Sequence, residues 1–281
     1  MIGHPIPPQE YTRILDRASV TKVDVDGLGV QLYRWGDGPI CFVLLHGGYG
    51  SWAHWIKVIP QLEPYATVIA PDMPGFGLSD TPIEPHTAEA VAGPLASALG
   101  DLVGHQKIIL AGFSFGGAIA GHVASLISEQ IEHLVLLGPG GTGAPRGDMP
   151  DLIRRTKQMS REEIREAHRR NLEILMVKDP SCVDELALYI QETNTGMHRL
   201  KSRPISATDT LARVLVGVGY PVSVLLGEFD ASVGKYRPER EGILRQSVPH
   251  IEIEVIPNVG HWLMWESDKL VAERLLALLS K

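Results

Sequence analysis

The sequence predicts an α/β fold in which helices cover both faces of a mostly parallel sheet. Apolar stretches of strand length alternate with helix-length segments along most of the 281 residues. The stretch PICFVLL at 39–45 does not alternate between apolar and polar residues, as expected for a strand buried on both faces. The alternation of strand-length and helix-length segments is interrupted at 142–208, where a charged segment without a strand pattern predicts a helical insertion.

Each element follows from its own stretch of sequence. Strands are predicted from short runs of apolar and β-branched residues between turn residues, at 19–25, 29–35, 39–45, 66–72, 107–113, 132–139, 220–230 and 250–261. Helices are predicted in the intervals between strands, at 53–63, 87–103, 116–128, 238–246 and 266–280. The predicted domains are a core formed by 1–141 and 209–281 and a helical cap, or lid, formed by 142–208.

Composition excludes several classes of partner. The net charge of −7 offers no basic surface for nucleic acid or an anionic membrane. Cys41 and Cys182 are too few for a disulfide framework, and the N-terminal stretch lacks the apolar segment of a secretory signal. The uncharged stretch 108–128 is long enough to span a membrane, but its glycines, serines and histidine favour a strand–turn–helix unit. We expect a cytoplasmic protein that acts on a small molecule, and a homodimer is left open.

The stretch GFSFG at 112–116 has the pattern G-x-S-x-G and lies between a predicted strand and a predicted helix. In that context a sharp turn holds the serine, Ser114, in a strained conformation that exposes its Oγ. Glycine at 112 and 116 removes side chains that would collide across the turn. A glycine-rich loop with an idle serine is the alternative, so the motif needs support from elsewhere in the chain.

Two later residues supply that support. A serine hydroxyl becomes a nucleophile when a base removes its proton and an acid orients the base. Asp230 and His261 follow Ser114 in that order, each at the end of a late predicted strand. We interpret the three residues as acid, base and nucleophile of a catalytic triad. Histidines on the flanks of earlier elements are expected to be structural: His105, His122 and His133.

A triad of this kind needs two backbone N–H groups that stabilise the oxyanion. We expect one from Phe115, directly after the nucleophile, and one from Gly48, in the HGGYG loop after the third strand. That loop lacks the G-x-G-x-x-G spacing of a dinucleotide site, and no metal or organic cofactor is expected. Gly47, Tyr49 and Phe113 are predicted to contact the substrate, with lid residues such as His198 as further candidates.

Taken together, these motifs resemble the α/β-hydrolase family over nearly the whole chain. The resemblance is carried by LLHGG at 44–48, PDMPGFGLSD at 71–80, GFSFGG at 112–117, GEFD at 227–230 and GHW at 260–262. Within the family, HLVLLGPGG at 133–141 and GHWLMWE at 260–266 resemble meta-cleavage product hydrolases, which split a C–C bond in vinylogous 1,5-diketones. By the same resemblance, Trp262 matches a tryptophan that lines their site.

The chain departs from that subfamily at three positions. Phe113 stands where the subfamily usually has asparagine, and Tyr49 replaces a loop glycine. Leu186 lies near the position of a lid arginine that grips the dienoate carboxylate, a role for which Arg199 or Arg203 is available. Loss of polar groups that bind the dienolate would impair the ketonisation that precedes C–C cleavage, but not ester hydrolysis.

We therefore expect a hydrolase that cleaves a carboxylic ester, or a related acyl bond, of a small and largely apolar substrate. C–C hydrolysis of a vinylogous 1,5-diketone is the alternative, and a receptor without catalytic activity is a third hypothesis. An amidase or a perhydrolase uses the same triad and is left open. A dehalogenase or an epoxide hydrolase is disfavoured because those relatives carry aspartate where Ser114 stands.

Overall fold

The computed structural model describes residues 6–104 and 106–280, so His105 and the first five residues of the N-terminal stretch lie outside it. Its strands are β1 (Ser19–Val25), β2 (Leu28–Trp35), β3 (Cys41–Leu45), β4 (Thr67–Asp72), β5 (Ile108–Phe113), β6 (Ile131–Leu137), β7 (Val222–Gly227) and β8 (Glu252–Ile256). They form one eight-stranded sheet in the order β1-β2-β4-β3-β5-β6-β7-β8. β2 pairs antiparallel with β1 and β4, and the other neighbours are parallel. The predicted mostly parallel sheet is confirmed.

Helices lie on both faces of this sheet. They are α1 (Gln9–Leu15), α2 (Ile59–Leu62), α3 (Ala88–Val103), α4 (Phe115–Leu126), α5 (Arg161–Leu175), α6 (Glu185–Met197), α7 (Arg203–Ser206), α8 (Thr210–Val214), α9 (Arg237–Ser247), α10 (Leu263–Glu266) and α11 (Asp268–Leu276). β3 shows why the sheet needs both layers, because successive side chains point to opposite faces. Phe42 and Leu44 join one hydrophobic cluster, whereas Cys41, Val43 and Leu45 join the other.

One predicted helix, 53–63, is wrong. The chain forms a short 3₁₀ turn at Trp52–Trp55 and then the single turn of α2. Pro60 lacks the N–H that a continuous helix would use at that position. The Asp72 carboxylate also fixes the start of the turn, because it accepts a hydrogen bond from the Trp52 N–H at 3.1 Å.

Two terminal elements also differ from the sequence prediction. α1 was not predicted from the sequence. The predicted helix 266–280 is divided, because Ser267 has a non-helical backbone (φ −138°, ψ 45°) between α10 and α11, and a 3₁₀ turn follows at Ala277–Ser280.

The interval 142–208 contains α5, α6 and α7 and, among its described residues, no strand. α5 begins at a capping box formed by Ser160 and Glu163. Arg165 on α5 forms ion pairs with Glu185 and Glu192 of α6, the second at 3.0 Å. These contacts hold the two helices together as a pair. Across the described residues, no helix is both long and apolar enough to cross a membrane.

We expect Gly116→Ala to destabilise the fold. A Cβ at Gly116 would collide with the carbonyl oxygens of Leu45 and His46 at the end of β3, so α4 would have to move outward. Overpacking of this kind costs about 1–3 kcal/mol of unfolding free energy. Gly242→Ala is the matched control, because it lies inside α9 with nothing within 4 Å of its Cβ position. Helix propensity predicts that this control stabilises by up to about 1 kcal/mol. Urea denaturation measures both, and equal stability of the two variants would contradict the packing argument.

Candidate active site

Ser114 lies at the sharp turn between β5 and α4. It has φ +54° and ψ −114°, a conformation that residues other than glycine rarely adopt. The turn is tight because a Cβ at Gly112 would collide with the carbonyl oxygen of Gly116. The Ser114 N–H donates to the Leu137 carbonyl of β6 at 2.8 Å, which ties the strained residue to the neighbouring strand.

A chain of hydrogen bonds links Ser114 to two residues from other strand ends. The His261 Nε2 lies 2.9 Å from the Ser114 Oγ, and the His261 Nδ1 lies 2.7 Å from the Asp230 Oδ2. His261 and Asp230 are 4% and 2% exposed, so the hydrogen bond between them is shielded from water. Such an arrangement can transfer the serine proton to the imidazole and hold the resulting positive charge.

Asp230 is kept ionised by its surroundings. Burial alone would favour the protonated acid, but the nearby His261, hydrogen bonds from His261 and Ser232, and the more distant Arg240 outweigh it and lower the pKa of Asp230. The Ser232 N–H and Oγ donate to the Asp230 Oδ1 at 2.8 and 2.7 Å. Both carboxylate oxygens are therefore occupied, and the carboxylate is fixed facing the imidazole.

The loop at 46–50 is held beside Ser114 by two buried, neutral histidines. Burial lowers the pKa of His46 to about 4 and the pKa of His54 well below its ordinary value. The His46 Nε2 accepts from the Met73 N–H at 3.0 Å, and the His54 Nδ1 accepts from the Gly47 N–H at 3.2 Å. These contacts leave the next amide of the loop, that of Gly48, beside the cavity that Ser114 also lines.

A cavity of about 1020 Å³ opens at Ser114 and His261. The two expected oxyanion donors, Gly48 and Phe115, line it. Within the described chain, neither of their amides donates a hydrogen bond to another residue. An oxygen bound at Ser114 therefore has two free N–H groups available nearby.

Three of the residues predicted to contact the substrate lie on the cavity wall: Tyr49, Phe113 and Arg203. The Phe113 ring packs 4.9 Å from the His261 ring. Tyr49, with φ +53°, lies 4.4 Å from the ring of His198, which also lines the cavity. Tyr49 of the loop and His198 of the predicted lid therefore form an aromatic pair in the cavity wall.

Three others do not line the cavity, which corrects the sequence prediction. Trp262 is 1% exposed and stacks on Trp265 at 4.4 Å, because its indole N–H donates to the His54 carbonyl and turns the ring into the core. The Gly47 amide is used by His54, as described above. The guanidinium of Arg199 donates to backbone carbonyls of the 76–79 loop, including that of Gly77 at 3.1 Å.

Sequence reasoning missed several polar residues of the cavity wall: Arg146, Arg154, Arg155, His168, Ser202, Ser232 and Arg240. A signal existed for two of them. Ser232 stands two residues after the acid, where its N–H and hydroxyl reach back to the carboxylate. Arg240 occupies the buried stripe of α9 with Leu244 and Ser247, at spacings of four and seven residues. In the described part of the chain, no group of three or more His, Cys, Asp or Glu side chains is placed to hold a metal ion.

Comparison with known proteins gives matches that span most of the chain. Residues 40–180 match the family described as alpha/beta hydrolase fold. The chain is 29% identical to a 2-hydroxy-6-oxo-6-phenylhexa-2,4-dienoate hydrolase of Burkholderia cepacia, over 80% of this chain and 82% of that protein. It is 26% identical to a 2-hydroxy-6-oxononadienedioate/2-hydroxy-6-oxononatrienedioate hydrolase of Comamonas testosteroni, over 88% and 90%. A solved meta-cleavage product hydrolase from Pseudomonas fluorescens has the same fold, with a TM-score of 0.71 at 23% identity over 92% and 97% of the two chains.

We expect Asp230→Asn to lower kcat by about 10⁴-fold, by analogy with the serine protease triad. The amide would favour the wrong imidazole tautomer and would not stabilise the charged imidazole. Hydrolysis of p-nitrophenyl acetate measures the effect. Asp209→Asn is the control, since Asp209 is exposed and pairs with Arg213 on the surface. Near-normal activity of Asp230→Asn would mean that another group orients His261.

Proposed function

The chain belongs to the α/β-hydrolase fold family, and on that premise we propose that it is a serine hydrolase that cleaves a C–C bond in a vinylogous 1,5-diketone acid. This was the alternative from the sequence, and the comparisons favour it over ester hydrolysis, because the relatives named above are dienoate hydrolases. The substrate is a small molecule bound in the cavity at Ser114.

The observation that carries the proposal is the charge of that cavity. Five arginines line it: Arg146, Arg154, Arg155, Arg203 and Arg240. An apolar ester has no group that would compensate these charges. A dienoate carries a carboxylate, which guanidinium groups bind with paired, charge-assisted hydrogen bonds.

The first chemical step follows from the geometry of the triad. The dienol first tautomerises: a proton moves from the 2-hydroxyl to C5, C2 becomes a ketone, the remaining double bond shifts to C3–C4, and C5 becomes a saturated carbon next to the ketone carbon. His261 then removes the Ser114 proton through its Nε2, and the Oγ attacks the ketone carbon. The Gly48 and Phe115 amides hold the negative charge that develops on the ketone oxygen.

The second step breaks the bond between the ketone carbon and C5. Its electron pair is delocalised onto the C2 oxygen of the leaving dienolate, and the acyl group stays on Ser114. His261 gives its proton to the leaving dienolate and then removes a proton from water, which attacks the acyl group and releases it from Ser114 as a carboxylic acid. Asp230 retains its negative charge throughout and stabilises the charged imidazole.

Residues of the interval 142–208 support its role as a lid that shapes the substrate site. Leu152, Ile153, Leu175 and Met176 all belong to it and line the cavity. They provide an apolar wall opposite the sheet, suited to the carbon chain of the substrate.

Ester hydrolysis is the second candidate, and Phe113 favours it. The residue before the nucleophile is apolar, packs on His261 and offers no hydrogen bond to a dienolate. The triad itself serves either reaction.

We expect the enzyme to prefer 2-hydroxy-6-oxohepta-2,4-dienoate to p-nitrophenyl acetate by about 10²-fold in kcat/KM, because the arginines of the cavity compensate the negative charge of the dienoate carboxylate. Loss of the dienoate absorbance and release of p-nitrophenol measure the two rates. Ser114→Ala should lower kcat at least about 10⁴-fold on either substrate. Ser128→Ala, an exposed serine on a surface turn, is the matched control. Preference for the ester, with the dienoate left intact, would contradict C–C hydrolysis.

A further inference from the structure

Three arginines of the cavity wall repel one another and, among the described residues, form no ion pair. This arginine cluster consists of Arg146 in the loop after β6, Arg203 on α7 and Arg240 on α9. Among the described residues, no carboxylate oxygen lies within 4.0 Å of any of the three guanidinium groups. The side chains of Arg146 and Arg203 also donate no hydrogen bond to a described residue.

Arg240 is the buried member of the arginine cluster, and one of its donors lacks an acceptor. It is 6% exposed, and its Nη1 donates to the Pro139 carbonyl at 2.8 Å, while its buried Nε has no partner among the described residues. A buried N–H of a charged group without an acceptor destabilises the folded chain. Burial and the neighbouring Arg146 lower the pKa of Arg240, against the opposite effect of Asp230.

Asp230 does not resolve this imbalance. Both of its oxygens already accept hydrogen bonds, one from His261 and one from Ser232. A closer pair with Arg240 would weaken the hold on His261 that the triad requires. Asp230 therefore acts on Arg146 and Arg240 only from a distance, and Arg203 is exposed to solvent. An anion in the cavity would give the cluster a direct, hydrogen-bonded partner.

A second cationic position lies elsewhere in the wall. Arg155 is held by the His168 Nε2 at 2.7 Å and the Thr195 Oγ1 at 3.1 Å, both neutral groups. It lines the same cavity as Tyr49, which belongs to the loop that also carries Gly48. Arg155 can therefore bind one carboxylate near the oxyanion loop while the arginine cluster remains free.

We propose that the substrate is a diacid and that the arginine cluster binds its second carboxylate, carried by the acyl part of the molecule. The inference rests on the proposed C–C hydrolysis, since it assigns the dienoate carboxylate to one cationic position and the acyl-side carboxylate to the other. Three guanidinium groups around one carboxylate satisfy its lone pairs, and Arg240 can contribute N–H groups other than the one that donates to Pro139.

The test compares two dienoates that differ on the acyl side alone: the 6-methyl ketone 2-hydroxy-6-oxohepta-2,4-dienoate and the diacid 2-hydroxy-6-oxonona-2,4-dienedioate. We expect the wild type to favour the diacid by about tenfold to hundredfold in kcat/KM, the range for a charged hydrogen-bonded contact. Arg146→Gln, Arg203→Gln and the double variant should remove this preference, because kcat/KM should fall much further on the diacid than on the methyl ketone. Arg213→Gln, an exposed arginine on α8, is the control.

A binding measurement keeps the test independent of turnover. Succinate, the acyl product of the diacid, should inhibit the wild type at least about tenfold more strongly than butyrate, and the double variant should lose that difference. Arg240→Gln should give the largest loss, and the two other arginines serve if this buried variant does not fold.

Two results would overturn the diacid assignment. One is equal inhibition by succinate and butyrate, and the other is an equal loss of turnover on both dienoates, which would place the shared dienoate carboxylate at the cluster. In either case, wild-type turnover of the methyl ketone would leave C–C hydrolysis standing. If the wild type consumes neither dienoate, the proposed function fails and the diacid assignment fails with it.

Discussion

The closeness with which α4 approaches β3 and β5 is the constraint on which the rest of this site depends. At Gly112 and Gly116 the backbones meet with no room for a side chain. This approach forces Ser114 into a left-handed conformation and lifts its hydroxyl to the carboxyl edge of the sheet. The same edge receives the ends of β7 and β8, so two distant segments deliver Asp230 and His261 within hydrogen-bonding distance.

The charges of the site are balanced unevenly. Both carboxylate oxygens of Asp230 accept hydrogen bonds, one from His261 and the other from Ser232. These bonds keep the carboxylate ionised beside the imidazole, which becomes positively charged when it accepts the serine proton. Arg240 is buried as well, and its Nε has no hydrogen-bond partner among the described residues. A cavity prepared in this way favours an anionic ligand, because binding one removes a cost that the folded chain already bears. We therefore expect an anion that binds at this wall to raise the free energy of unfolding.

The sequence predicted the parts of the fold that depend on local patterns. The buried strand β3, the turn at Ser114 and the order of Ser114, Asp230 and His261 all have such patterns, and the resemblance to α/β-hydrolases followed from them. No local sequence pattern predicts whether a given side chain points into the cavity or into the core. Trp262 turns into the core because a carbonyl of the distant His54 accepts its indole N–H. The arginines of the wall come from separate segments, and only the folded chain brings them together.

The proposed chemistry requires Ser114 to be the nucleophile, activated through His261 and Asp230. The direct measurement is intact-protein mass spectrometry after treatment with a fluorophosphonate probe, followed by peptide mapping. We predict one adduct per chain, on Ser114, and strongly slowed labelling when His261 is replaced by alanine. Absence of an adduct, or an adduct on another residue with Ser114 unmodified, would contradict it.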